Sequence, residues 1–348
     1  MNLSSKCFPL GALSYENVES TTRMVVKLFE KNPFLAFLPN VSEDDNVIRR
    51  TLENIPGIRF KDDNVVLKVG TNSYEQNLKK LDKAYNSPTL ENLEPYAIEA
   101  PFLDKYLHII KKFKSPNAYI NLLGPFTISQ MLQSAAEEQM LVDKSYRKLF
   151  IQAVCVKALW VIAKIKEFNP STTPIVILEE PLFCRFGDLK RENEEITVEL
   201  VTNLFSRVVE KIKEAGALVA IQSLDKCDWK IPINAGVDII SFDAYNNSSN
   251  LTILPDTLKE FLEKGGYINW GIVPVMSESV VKAINADFVY DKLKAAFAEL
   301  SQVGVPAKLI HNSALVSVQG NMDNLPLIFA EKATILANQV ALKIKMGH

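Results

Sequence analysis

Short apolar runs alternate with longer segments of helical periodicity along most of the chain. The runs that read as strands are Phe8–Leu13, Phe34–Leu38, Ala118–Leu123, Ile175–Glu179, Leu218–Gln222, Asp238–Phe242, Tyr267–Gly271 and Lys308–His311. Most are short and almost wholly apolar, the pattern of parallel strands buried on both faces. Between them, Asn17–Glu30, Lys144–Glu167, Glu194–Ala215, Pro255–Lys264, Asp287–Gln302 and Asn324–Lys345 carry apolar residues at helical spacing. Gly216, Gly265 and Gly304 follow three of these segments, where a left-handed helix cap favours glycine.

Eight such strands alternating with helices predict an α/β fold, a single (β/α)8 TIM barrel spanning residues 1–348. No G-x-G-x-x-G follows any strand, which removes the best signature of the rival doubly wound sheet. Residues 59–113 form an insertion after the second strand. It holds a hairpin, Ile58–Phe60 with Val65–Val69, and two helices, and is expected to cap one face of the barrel.

Composition narrows the partners. A net charge of -2 supplies no field toward nucleic acid or an anionic membrane. Four scattered cysteines, Cys7, Cys155, Cys184 and Cys227, have no metal or disulfide spacing and fit a reducing cytoplasm. No run reaches the roughly 18 apolar residues of a membrane helix, and no signal core follows Met1, so a cytoplasmic protein is expected.

A barrel places its chemistry at the C-terminal ends of its strands. That rule selects Gly11, Ala12 and Tyr15, Glu179 and Glu180, Gln222 to Asp228, Asp243, Trp270, and His311 to Ser313. The stretch Ile175–Pro181, an apolar strand ending in two carboxylates, is the strongest local signal. Glu179 and Glu180 suit an ammonium group, a proton in transit or a metal, or else cap the following turn. Asp243 reads either as a site carboxylate or as an Asx turn.

The order of motifs resembles the superfamily of cobalamin-independent methionine synthase and uroporphyrinogen decarboxylase, most closely its single-barrel methionine synthase-like proteins. The resemblance runs through Pro9–Tyr15, Asn32–Pro39, Leu123–Thr127, Leu178–Pro181, Cys227–Trp229, Gly236–Asn246 and Trp270–Pro274. It implies a 5-methyltetrahydropteroyltriglutamate–homocysteine S-methyltransferase-like function, with Glu179, Glu180 and Asp243 orienting a small ligand such as an amino acid or thiol. Gly11, Ala12, Tyr15 and Trp270 would line its binding site.

The family's cofactors are zinc and a methyl-folate, yet the ligand positions the resemblance marks hold Gln222, Leu224 and Ser313. These side chains cannot replace a His/Cys/Cys zinc shell. No metal is therefore expected, with Cys227 and His311 as weak candidates for a rebuilt site, and thiol methylation is expected to be lost or altered. The alternatives are a metal-free enzyme of the same superfamily or a noncatalytic small-molecule-binding paralogue. Nothing in the sequence fixes the oligomeric state.

Overall fold

The computed structural model describes residue 3 and residues 6–61, 64–132 and 140–347. Its strands are β1 (Lys6–Cys7), β2 (Ile58–Lys61), β3 (Asn64–Leu67), β4 (Asn117–Leu123), β5 (Thr173–Glu179), β6 (Leu218–Ser223), β7 (Ile239–Phe242), β8 (Tyr267–Val273) and β9 (Ala314–Val318). Seven of them form one parallel sheet in the order β1-β9-β8-β7-β6-β5-β4, while β2 and β3 make a separate antiparallel hairpin. β4, β7 and β9 are buried at every residue, which is why they read as unbroken apolar runs.

The sheet curls, with β1 and β4 as its two edges. Phe8, just past β1, packs its ring edge-on against Tyr119 of β4, with centroids 5.2 Å apart. Between these edges lies the segment 34–38, expected as a regular second strand. It forms only isolated parallel bridges, Phe34 to Tyr119 and Phe37 to Ala12. Backbone bonds run to both neighbours, from Leu35 N to Tyr119 O and from Phe37 N to Gly11 O. The expectation of eight regular strands is thus met in part: seven join the ladder, the first at Lys6–Cys7 and not at Phe8–Leu13, and residues 34–38 follow it only loosely.

A buried ion pair explains this irregular path. Arg50 donates to Leu35 O, Ala36 O and the Asp45 carboxylate, at 2.6, 3.0 and 2.8 Å. The other Asp45 oxygen accepts from Leu38 N. The carbonyls and amide that a ladder would use are therefore taken by side chains, and the Arg50 guanidinium lies 3.7 Å from the Phe37 ring centroid.

The last predicted strand is displaced. Lys308–His311 lies in a helix, Ala307–Ser313, and the strand is the next segment, Ala314–Val318. Pro306 at the helix N-cap cannot continue a ladder, and Ile268 pairs with Ala314 to set the register.

The insertion packs on a flank of the molecule. Its helices Asn72–Asn86 and Leu103–Phe113 lie against the helix Lys144–Phe168, which is buried from Leu149 to Ile162 because the sheet covers its other side. Among the described residues no helix is long and apolar enough to cross a membrane.

Candidate functional site

Register places Leu123, Glu179, Gln222, Ser241, Asn269 and Leu315 in one row across the sheet, on a shared face. This face lines the inside of the curl, because the alternating neighbour Trp270 faces outward. Trp270 packs on Phe242 and on Phe297 of the helix Ala286–Gln302, and is fully buried there. The expected substrate-contacting Trp270 therefore stands behind the sheet, not in its mouth.

Glu179 ends β5 on the inner face and is half-buried. One oxygen accepts from Asn121 Nδ2 at 2.8 Å, and the other has no hydrogen-bond partner among the described residues. Burial raises its pKa above the ordinary carboxylate range, opposed by the Asn121 bond and the charge of Arg50. Gly11 lies over it in a left-handed conformation, φ +20°. A β-carbon there would come within 2.9 Å of Asn321 Oδ1 and 3.7 Å of the Glu179 carboxylate.

Glu180 points the other way. Its oxygens accept from Phe126 N and Thr127 N, at 3.0 and 2.7 Å, clamping β5 to the helix Pro125–Met131. Burial raises its pKa to about 7 despite these bonds. The two adjacent acids thus divide their work: Glu179 meets the interior of the mouth and Glu180 holds the scaffold.

Asp243 is fully engaged. Oδ1 caps the short helix Ala244–Asn247 by accepting from Asn246 N, and Oδ2 accepts from Asn246 Nδ2 and Gln319 Nε2, both at 2.8 Å. The Asx reading describes its geometry. Gln319, which sequence reasoning missed, ties the end of β9 to that of β7 and also accepts from Val275 N.

Deeper in the curl, Asn269 donates to Ser241 and Ser317 at 2.8 and 2.9 Å. These residues were missed too, although each breaks an apolar strand with one polar side chain. Buried oxygens of Asn121, Gln222 and Asn269 lack a donor among the described residues.

The remaining candidates disperse. Ala12 is buried at the seam, bridged to Phe37. Tyr15 donates to Glu331 on the helix Leu327–Met346 at 2.6 Å; burial and that carboxylate push its pKa well up. Leu224 lies beside Gly320 in the loop after β6, and its carbonyl accepts from Asn247.

Gln222 lies near the C-terminal end of β6, whereas Ser313 immediately precedes β9. In a parallel sheet these are opposite ends, so the positions named as former zinc ligands do not converge. His311 packs against Phe297 on the outer helices, while Cys227 lies near Ser223 and Cys184. Among the described residues no group of three or more His, Cys, Asp and Glu is placed to hold a metal ion.

No family model matches the chain, and no curated protein matches it. Two solved structures resemble it in shape. One is a Bacteroidetes-affiliated GH5 cellulase linked with a polysaccharide utilization locus, at 11% identity and a TM-score of 0.44, covering 94% of each chain. The other is described as a candidate α-L-fucosidase from Bacteroides thetaiotaomicron, at 12% identity and a TM-score of 0.38, covering 89% of this chain and 92% of that one.

The methionine synthase-like S-methyltransferase expectation is corrected accordingly. No family model supports it, and the residues taken as its ligand remnants sit at opposite ends of the sheet. Likenesses this distant carry no argument about a substrate for this chain.

Proposed function

We propose that the C-terminal mouth of the curled sheet binds a small molecule bearing hydroxyl or amino groups, with Glu179 as its contacting carboxylate and proton acceptor. One observation carries this reading: a half-buried carboxylate at a strand end has a raised pKa and one oxygen left without a partner among the described residues. The more deeply buried Glu180 and Asp243 each have both oxygens occupied, whereas Glu179 keeps one open at the mouth. A carboxyl group whose pKa is moved toward neutrality is suited to exchange a proton with a bound hydroxyl or amine. The donor-poor oxygens of Asn121 and Gln222 beside it fit a partner that gives hydrogen bonds.

The test is calorimetric titration with a panel of small polyols and primary amines, compared with the same titrations of Glu179→Gln. Retained folding with binding weakened about tenfold or more is expected, the scale of one charge-assisted hydrogen bond. Affinity for an amine should rise with pH through the Glu179 pKa, because only the ionised carboxylate accepts from a cation. Unchanged affinity in Glu179→Gln, or no binder in either class, would overturn the reading.

A further inference from the structure

A cavity lies away from the mouth. The hairpin β2–β3, the loop 53–57 and the start of the helix Asn72–Asn86 enclose a cleft of about 720 Å³. That volume lies within the roughly 300–1,000 Å³ of small-molecule sites. Arg49, Arg59, Lys68 and Lys80 line it, against a single lining carboxylate, Glu53.

Arg49 is already neutralised. It pairs with Asp44 at 2.6 Å and with Glu53 at 3.7 Å, and its guanidinium sits 4.4 Å from the Phe60 ring centroid. Arg59 donates only to the carbonyl of its neighbour Ile58, and neither Lys68 nor Lys80 has a carboxylate partner among the described residues. Three cations without an ion-pair partner among the described residues therefore face one concave space, and the four lining cations exceed the carboxylates Asp44 and Glu53 by two.

The backbone adds to this field. Thr71 caps Tyr74 N of the 15-residue helix Asn72–Asn86, whose positive end opens at the cleft. The walls are held together at Gly57, where Lys68 N donates to Gly57 O at 2.9 Å. A β-carbon at Gly57 would meet Lys68 O at 2.7 Å, so the loop and the hairpin approach as closely as glycine allows. The Tyr74 ring lines the same space and offers an apolar face next to the charges.

We infer that this cleft is a binding site for a small phosphorylated metabolite, with Arg59, Lys68 and Lys80 on the phosphate and Tyr74 against the organic part. The inference is independent of the mouth and of Glu179. Arginine and lysine around a helix start suit a multiply charged phosphate better than a monocarboxylate, since three cations need more than one negative charge to balance them.

Calorimetry at physiological salt with pyrophosphate and with adenosine monophosphate tests it on the full chain. Saturable binding of one equivalent is expected, weakened about tenfold or more in Arg59→Ala/Lys68→Ala and in Lys80→Glu. These side chains are exposed, so circular dichroism should show unchanged melting. Lys190→Ala, a distant exposed cation, and Glu179→Gln should bind as the parent does. Equal affinity in the cleft variants, or no saturable binding up to about 10 mM probe, would sink the inference. Capture by vesicles bearing phosphoinositides with no binding of either soluble probe would overturn it in favour of a membrane surface.

Discussion

Glu180 and Arg50 are the two residues whose burial has the most measurable consequences. Glu180 keeps its proton to about pH 7 in the folded chain but ionises near pH 4.5 when unfolded. Between those values the folded state binds more protons than the unfolded one, so this group lowers stability as pH rises through the window. Urea denaturation from pH 4.5 to 7.5 should show that loss, on the order of a few kcal/mol, with a shallower slope in Glu180→Gln. That variant should also be less stable at low pH, because an amide cannot accept from both Phe126 N and Thr127 N. Arg50 and Asp45 form an ion pair with side chains 1% and 2% exposed. Arg50→Ala leaves Asp45 charged and buried and should cost roughly 3–5 kcal/mol in a chemical melt. An effect below about 1 kcal/mol would show that residues 34–38 hold their path without the pair.

At the scale of the elements, the helix starts near Asn17, Lys144 and Asp287 were legible because their caps are local, whereas the helices read from Glu194 and Asn324 begin at Val198 and Leu327. Asn17, Thr71, Asp143, Thr197 and Asn285 each accept from an amide two or three residues on, as their position before an amphipathic run implies. The strand at the end of the chain was not legible. Leu309-Ile310 and Leu315-Val316 are both short apolar pairs, and only pairing with β8 and β1 selects the second. That choice moved His311 and Ser313 away from the mouth and brought Gln319 to it. The helix Lys144–Phe168 hides a further conflict. Lys157 is buried on it, donating to Ala97 O at 3.3 Å, and desolvation lowers its pKa to about 8. The folded chain sheds this proton more readily than the unfolded one, so its penalty fades as pH rises from about 8 to 10.5. Lys157→Met should therefore raise stability by about 1–3 kcal/mol at pH 7, and the gain should shrink by pH 10; thermal melts at the two pH values check both parts.

Across the whole molecule, the sequence revealed a parallel sheet with helices but not how its edges meet. The apolar run at 34–38 looked like any other strand, because nothing in it signals that Arg50 and Asp45 take its backbone groups. Held by isolated bridges, this seam should be the first part of the curl to open. The amides of Leu35 and Phe37 should exchange with deuterium well before those of Ile120 and Ile177, and equal protection would mean the seam is as firm as the ladder. Glu179 and Gln222 were found because they end strands, whereas Asn121 and Asn269 acquire meaning only once register sets them on the same face. The contact of Phe8 with Tyr119 has a consequence for traffic. These two buried rings meet edge-on inside the curl and stand across it as a stopper. Whatever enters beside Glu179 must leave by the same door, and a departing molecule must clear it before the next arrives.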